Sequence, residues 1–378
     1  EEGVKFLKGG IWKNFFVKYE ESNRIHKRML ELSGAREALN NPDFDRALYK
    51  LQMNDPLWHG VFGGLYLPNL RDNVYHYLIM CENLRYDEKP VVVADQNELD
   101  GHTKIKAVIA NYLFRFDAAH GGQLVEFDSR DTCFNWQNTL TRRKEAYHQR
   151  VLEEQPCVKI PVAEEGIDTI HHAAFKIDTS LRDVIIYDWY LKNSFIDHIS
   201  DNNFCYDNFR HCNFHEYGDF ANQPFNVAYD QKGATFVREG GLYFPQKEDA
   251  RLEKSFYPKL GGFDFEIAFT TQAEGYFNYI LEHNFHFANY ESITINNRKI
   301  EGDRRFYQAK ILEIMDGNLH KKIIITLDQP CDITYFPLET LSQSEKGFDL
   351  TVQGLSFAMA IRFSKQLVIK GALEVYDV

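Results

Sequence analysis

Residues 104–127 read KIKAVIANYLFRFDAAHGGQLVEF, and a helical pattern gives way to a two-residue period in this part of the chain. Apolar Ile105, Ala107 and Ile109 alternate with lysines at the start of the stretch, and Leu124–Phe127 forms a second apolar run after a Gly-Gly pair. Alternating side chains point to opposite faces of a β-strand, and paired glycines are typical of turns. The stretch therefore predicts short-turned β-strands with one face buried.

Similar runs continue to the end of the chain, separated by Gly, Asn and Asp turns and by little helix. Such spacing predicts an antiparallel β-sandwich. About 280 residues is large for one sandwich, so we expect long or elaborated sheets. The predicted strands are Val91–Val93, Val184–Leu191, Ala234–Tyr243, Phe263–Thr271, Gly275–His283, Lys321–Leu327, Leu350–Phe363 and Leu367–Tyr376.

The first 85 residues instead show helical spacing. Apolar positions within residues 25–32 recur at i, i+4 and i+7, which predicts a helix capped at Ser22 or Asn23 and ending at Gly34. Asn41 before a proline predicts the start of a second helix, and a third follows Pro68. We therefore expect a mainly β protein, in which a small helical bundle precedes the large sandwich.

Composition excludes several classes of protein. The 378 residues carry a net charge of −12, whereas a nucleic-acid binder needs clustered cations to replace phosphate counterions. The 44% of hydrophobic residues suffices for a core and argues against disorder. No apolar run approaches the roughly 20 residues of a membrane helix. We therefore expect neither a nucleic-acid partner nor a membrane.

The first residue and the cysteines indicate whether the chain is part of a longer protein and which compartment it occupies. Because it begins with Glu1 rather than Met, we expect that it is a piece of something longer. The six cysteines form no C-x-x-C pair, which predicts reduced thiols in a cytoplasmic protein. They are Cys81, Cys133, Cys157, Cys205, Cys212 and Cys331.

Motifs for metal or nucleotide chemistry are weak. His211 and His215 are four residues apart, but Cys212 stands where a zinc protease would have Glu. Ordinary hydrogen-bonded histidines are the better interpretation. The sequence has no G-x-S-x-G elbow, and its Gly-Gly pairs lack the phosphate-cradle spacing. We expect no cofactor and no transition metal, although a calcium ion is not excluded.

The stretch Asn54–Gly60, NDPLWHG, is the more informative candidate. Asp55 and Trp58 are three residues apart, beside Pro and Gly. A carboxylate can accept hydrogen bonds from sugar hydroxyls while an indole stacks on the apolar face of the ring. A capped turn with a half-buried Trp explains the same residues. Trp12, in GGIWKNFF, has the same two interpretations.

A second polar and aromatic cluster lies in the predicted sandwich. Asp197, His198, Glu216 and Asp219 include enough carboxylates for the acid and nucleophile pair of glycoside hydrolysis. They could equally satisfy one another in an interface, which is the interpretation that we favour.

Several of these segments, taken in order, resemble glycoside hydrolase family 57, in its 4-α-glucanotransferase and α-amylase branch. The resemblance spans nearly the whole chain. The matching stretches are GGIWKNFFVKYEESNRIHKRML (9–30), MNDPLWHGVFGGLYLPNLR (53–71), RRKEAYH (142–148), EEGIDTIH (164–171), DWYLKNSFIDH (188–198), HEYGDFANQPF (215–225), REGGLYF (238–244) and LETLSQSEKGFDLTVQGLSF (338–357).

The resemblance implies a retaining enzyme that acts on α-1,4-glucans or maltooligosaccharides, with an incomplete seven-stranded (β/α) barrel before a helical segment and a sandwich. In that alignment Asp55 binds the sugar at the cleavage subsite, Trp58 is an aromatic platform and Trp12 a further one. The family's nucleophile Glu and acid/base Asp would lie upstream of residue 1. We therefore expect no catalytic residue in this chain, which would be inactive alone.

The resemblance also divides the chain. Residues 1–20 would be the tail of the barrel, residues 21–89 the helical segment and residues 90–378 the sandwich. The barrel would belong to the same or to a separate polypeptide. The alternative is a non-catalytic glucan-binding or scaffolding protein that has lost its barrel.

Overall fold

The computed structural model describes residues 12–60, 63–86, 90–95, 102–153, 179–302, 304–344 and 347–378. Cys157, the motif at 164–171 and the first eleven residues of the expected barrel tail lie outside these ranges. The described part is mainly β, as the sequence predicts.

The N-terminal segment is helical, and its helices enclose a small apolar core. Phe44, Leu48, Leu78 and Ile79 are among its fully buried side chains. The Asn41 side chain accepts hydrogen bonds from the backbone N–H groups of residues 43 and 44, which confirms the predicted cap. The helices are α1 (Trp12–Lys18), α2 (Glu20–Leu39), α3 (Pro42–Leu51) and α4 (Pro68–Arg85).

The predicted bounds of the first long helix are wrong. The helix α2 begins at Glu20, before the expected cap at Ser22 or Asn23, and continues past Gly34. Its last residue is Leu39, and the C-cap Asn40 adopts a left-handed conformation with φ of 44°. Gly34 lies inside α2, where a glycine weakens a helix without stopping it. A Cβ at this position would meet nothing within 4 Å, so packing does not require the glycine.

A five-stranded antiparallel sheet follows in the described chain, with its strands in sequence order. Its central strands are buried on both faces, between the sandwich core and the helical segment. The strands are β1 (Val91–Asp95), β2 (Lys104–Ile109), β3 (Tyr112–Asp117), β4 (Gln123–Ser129) and β5 (Phe134–Asn135).

The remaining strands form a second antiparallel sheet, with twelve strands in the described part of the chain. The strands are β6 (Ile196–Ser200), β7 (Asn226–Asp230), β8 (Gly233–Tyr243), β9 (Lys247–Lys259), β10 (Gly262–Thr271), β11 (Phe277–Phe285), β12 (Ile293–Ile295), β13 (Arg298–Lys299), β14 (Arg305–Asp316), β15 (Lys321–Ser344), β16 (Gly347–Phe363) and β17 (Gln366–Asp377). The short helix α5 (His148–Leu152) precedes β6, and α6 (Tyr206–Arg210) follows it. The main path of the sheet runs β13-β12-β14-β15-β17-β10-β9-β8-β7, and β16, β11 and β6 continue from β15.

The two sheets pack face to face over an aromatic core. Phe114 of the first sheet meets Phe263 of the second with ring centroids 5.0 Å apart, and Phe127 meets Phe285 at 6.3 Å. Edge-to-face pairs of this kind add to the stabilisation from burial. Many of the 30 phenylalanines of the chain thus belong to the core between the sheets.

The strand predicted at Val184–Leu191 is wrong. A 3-10 helix covers Thr179–Val184, and the following residues form no regular element. The backbone of this segment bonds to a loop instead: the N–H of Asp188 donates to the carbonyl of Arg142 at 2.9 Å. The Asp188 side chain is buried in an ion pair with Arg142 at 2.6 Å, so the segment packs on that loop and does not form a strand.

In the described residues, no helix is both long enough and apolar enough to cross a membrane. The five cysteines in the described ranges are free thiols.

Candidate functional site: the Asn54–Gly60 loop

The loop begins with one turn of 3-10 helix, Asp55–Leu57. Pro56 occupies the first turn, where its missing N–H costs no hydrogen bond, and both Pro56 and Leu57 are buried beneath the loop. Asp55 is exposed. The turn therefore fixes the backbone while it leaves the carboxylate free to meet a ligand.

Trp58 follows the turn and is half-buried. One face of the indole lies on Gly60, where a Cβ would come within 2.5 Å of the ring. Phe15 of α1 packs edge-on at a centroid distance of 6.1 Å. The indole Nε1 is buried and has no hydrogen-bond partner among the described residues. The absence of a side chain at Gly60 thus allows the Trp58 indole to pack closely on the backbone, while the ring remains partly exposed.

Trp12 lies on α1 and is 40% exposed. Its ring meets Phe16 one turn later at 5.3 Å, and Phe15 on the same helix contacts Trp58. The structure therefore places the helix that carries Trp12 against the loop that carries Trp58, with Phe15 between them.

His59 packs inward from the loop. Its Nδ1–H donates to the carbonyl of Gly63 at 2.9 Å, and its ring packs on Tyr66 at 4.5 Å and on Tyr147 at 5.5 Å. Burial lowers the pKa of His59, so the ring is neutral at pH 7. It is a packing group that fixes the backbone of the loop.

Glu145 lies below the loop and is 5% exposed. Its Oε1 accepts hydrogen bonds from the hydroxyls of Tyr19 at 2.8 Å and Tyr66 at 2.9 Å, and its Oε2 pairs with Lys18. Burial, and then the nearby Glu145 carboxylate, raise the pKa of Tyr66, so this hydroxyl remains a donor at any ordinary pH.

The second cluster divides into separate groups. Asp197 pairs with Lys254 at 2.6 Å and accepts from Tyr279, whereas its neighbour His198 points to the other face of β6. Asp219 pairs with Arg238 at 2.7 Å on another part of the fold. The candidate carboxylates thus do not surround one site.

His198 is the centre of the largest of these groups. Its Nδ1 lies 2.6 Å from Glu216, and its Nε2 lies 3.2 Å from Glu282, a fully buried residue of β11. Burial alone would lower the pKa of His198, but hydrogen bonds to Glu216 and Glu282 outweigh it and raise the pKa to about 9. Lys192 and Tyr190 also bond to Glu282. This enclosed set of opposite charges ties β6 to β11.

The histidines 211 and 215 do not share a helix face. His211 follows the end of α6, and its Nδ1–H donates to the carbonyl of Asp207 at 2.7 Å, while His215 packs on Tyr217. In the described residues, no group of three or more His, Cys, Asp or Glu side chains is arranged to hold a metal.

Comparison with known protein families assigns both the segment that carries the loop and the rest of the chain. Residues 10–85 match the family described as "Alpha-amylase/4-alpha-glucanotransferase, middle domain", and residues 96–373 match "Alpha-amylase/4-alpha-glucanotransferase, C-terminal". The chain belongs to the α-amylase/4-α-glucanotransferase family. This confirms the resemblance to glycoside hydrolase family 57.

Two relatives illustrate the extent of the similarity. The 4-α-glucanotransferase of Thermococcus litoralis is 34% identical over 96% of this chain and 52% of that protein, and an α-amylase of Pyrococcus furiosus is 30% identical over 97% of this chain and 52% of that protein. The crystal structure of the T. litoralis enzyme superposes with a TM-score of 0.80 at 32% identity, covering 97% of this chain and 51% of that one. The chain thus spans about half the length of these relatives and corresponds to their C-terminal portion.

Sequence reasoning missed Glu145, Tyr66 and His59. RRKEAYH contributed to the resemblance, but no spacing rule linked its Glu to a loop far earlier in the chain. The sequence separation between Glu145 and Tyr66 is 79 residues, so only the tertiary fold brings the two together.

Proposed function

We propose that this chain is part of an enzyme that cleaves or transfers α-1,4-glucan with retention of configuration, and that the Asn54–Gly60 loop forms one wall of its glucan cleft. The observation that supports this best is the loop itself: an exposed carboxylate and a half-buried indole stand on one fixed turn in a member of an amylase and glucanotransferase family.

Asp55 would accept hydrogen bonds from the sugar hydroxyls, and Trp58 would stack on the apolar face of the same ring or its neighbour. Trp12 would extend this surface along α1. Their contribution is binding and orientation, because they hold the glucan while other groups perform the chemistry.

The chemistry would come from a Glu nucleophile and an Asp acid/base in a barrel that precedes these residues, in the same or in a separate polypeptide. Residues 1–20 would complete that barrel, residues 21–89 would form the helical segment and residues 90–378 the sandwich. The free thiols in the described ranges support a cytoplasmic location.

The test is Asp55→Ala in the intact enzyme, assayed by maltooligosaccharide disproportionation and hydrolysis. One hydrogen bond to a charged group contributes about 1.5–3 kcal/mol, so kcat/KM should fall at least ~10-fold. Asp43→Ala is the matched control, because Asp43 is an exposed carboxylate that pairs with Arg46 on α3.

A change below twofold for Asp55→Ala would contradict the role of this carboxylate. If the intact enzyme bound maltooligosaccharides without any turnover, the non-catalytic alternative would replace the proposal.

A further inference from the structure

Glu145 sits where two chain segments that flank Trp58 converge. The first segment is the end of α1 and the residue that follows it, which supply Lys18 and Tyr19. The second is the 3-10 turn Gly64–Tyr66, shortly after the loop, which supplies Tyr66. Both tyrosines are almost completely buried, at 2% and 1% exposure, and both hydroxyls donate to this one carboxylate.

Each segment leads from Glu145 to Trp58 through direct contacts. On the helix side, Tyr19 stacks on Phe15 at 6.4 Å, and Phe15 packs on the indole at 6.1 Å. On the loop side, Tyr66 packs on His59, the residue that follows Trp58. In addition, the N–H of Leu65 donates to the carbonyl of Trp58 at 2.8 Å. The indole is thus bracketed by two segments with a common anchor.

The anchor is itself fixed to the large sheet. The N–H of Glu145 donates to Nδ1 of His148 at 3.3 Å, and Nε2–H of His148 donates to the carbonyl of Leu341 on β15 at 2.9 Å. Burial lowers the pKa of His148, and the neutral ring with its proton on Nε2 satisfies both bonds. The position of the carboxylate therefore follows from the sandwich.

We propose that Glu145 is the positioning residue of the glucan-binding loop: it sets the place of Trp58 from below, so that the sandwich is part of the sugar site. This inference rests on the proposed function of the loop, since it assigns Glu145 to the same site. Glu145 acts through Tyr19 and Tyr66, without contact to the glucan.

Two substitutions separate the contributions of this carboxylate. In Glu145→Ala both buried hydroxyls lose their acceptor, so the segments that carry them must shift or take up water. Glu145→Gln keeps an oxygen for Tyr19 and Tyr66 and loses only the charge that faces Lys18. We expect a strong effect from the alanine variant and a weak one from the glutamine variant.

The experiment is ¹⁵N-indole NMR on the 378-residue chain, which has four tryptophans. Glu145→Ala should shift the indole signal of Trp58 and leave those of Trp136 and Trp189 in place, because these rings pack on other groups. A maltoheptaose titration of the intact enzyme that carries Glu145→Ala should then show about tenfold weaker binding, the change that corresponds to about 1.4 kcal/mol.

Tyr66→Phe and Tyr279→Phe form a matched pair, since each removes a buried hydroxyl from a carboxylate. The first should move the Trp58 signal and weaken maltoheptaose binding, and the second should do neither. This pair keeps the test decisive if Glu145→Ala does not fold.

The outcomes separate the inference from the proposed function. Unchanged Trp58 signals in Glu145→Ala and Tyr66→Phe would overturn the positioning role. A moved Trp58 signal in Glu145→Ala, with maltoheptaose binding by the intact enzyme unchanged in the same variant, would support the positioning of Trp58 and refute the loop as a glucan site. Equal effects of Tyr66→Phe and Tyr279→Phe on binding would show a general loss of structure and overturn the inference.

Discussion

The free energy of unfolding of Asp128→Asn, relative to that of the wild type, should increase as the pH rises. Asp128 belongs to a buried cluster in which three carboxylates surround Arg28 of α2. Arg28 lies 2.7 Å from Glu82 of α4 and 2.6 Å from Asp128, and it also pairs with Glu126. All four residues are at most 3% exposed. With more carboxylates than this guanidinium can neutralise, the folded cluster favours a bound proton.

The structure gives the sign and the size of the effect. Burial raises the pKa of Asp128, and although Arg28 lowers it, Glu126 and Glu82 raise it further, to about 7 from a usual value of 3.8. The raised pKa means that its contribution to stability is fully present below pH 3.8 and is lost as the pH rises through about 7. Three pH units at 1.36 kcal/mol each amount to about 4 kcal/mol.

The assay is urea unfolding of both proteins between pH 4 and pH 8, followed by circular dichroism, with linear extrapolation to water. The difference in free energy of unfolding, Asp128→Asn minus wild type, should rise by about 4 kcal/mol across this range. The amide cannot form an ion pair with Arg28. This loss lowers the free energy of unfolding by an amount that changes little with pH. Groups common to both proteins cancel in the difference.

Glu31→Gln is the control with the opposite shift. Burial would raise the pKa of Glu31, but Lys106, Arg115 and Arg85 lower it to about 2, so its stabilising contribution is lost only as the pH falls below about 4.5. Its difference curve should be flat between pH 5 and pH 8. A flat curve for Asp128→Asn as well would refute the proton bound in the cluster.

Two further predictions concern stability. Asn41→Ala removes the side-chain cap of α3 and should lower the free energy of unfolding by about 1 kcal/mol in urea; an unchanged midpoint would contradict the observed cap. His198→Gln removes a histidine whose pKa is raised in the folded protein. The stabilisation from this histidine is fully present below pH 6.5 and is lost as the pH rises through about 9. Its destabilisation should therefore shrink by about 3 kcal/mol from pH 6 to pH 10, and a difference independent of pH would exclude the pairing with Glu216 as its cause.

The sequence predicted strands correctly where one face of the strand is exposed to solvent. Ala234–Tyr243 and Leu367–Tyr376 alternate visibly and are strands in the structure. Tyr112–Asp117 was missed although Phe114 and Phe116 alternate with Arg115 and Asp117, and burial on both faces places these two charged side chains inside the protein. Lys247–Lys259 was missed because Lys254 occupies a buried position, where its partner is the distant Asp197.

The candidate site could be predicted only in part. Asp55 and Trp58 were found because a carboxylate, a proline, an indole and a glycine are adjacent in the sequence, and local chemistry limits what such a turn can do. Glu145 could not be assigned a role, because its partners lie in segments that only the tertiary fold brings together. For the same reason the sequence could not show that Asp197 and His198 belong to separate groups.

Several buried polar contacts cross the junction between the helical segment and the sandwich, beside a small apolar cluster of Tyr19, Leu65, Tyr66 and Leu140. Arg71 of α4 is fully buried and donates to Asn138 and to Gln353 of β16, as Arg28 and Glu145 make their own bonds across the same junction. Buried polar contacts contribute little net stability, but each requires a defined geometry, so together they fix orientation. An apolar junction of the same size would hold the two parts together and allow them to slide. The proposed sugar site would need its carboxylate and indole held within about 0.5 Å, and the buried polar contacts of the junction favour such a defined orientation.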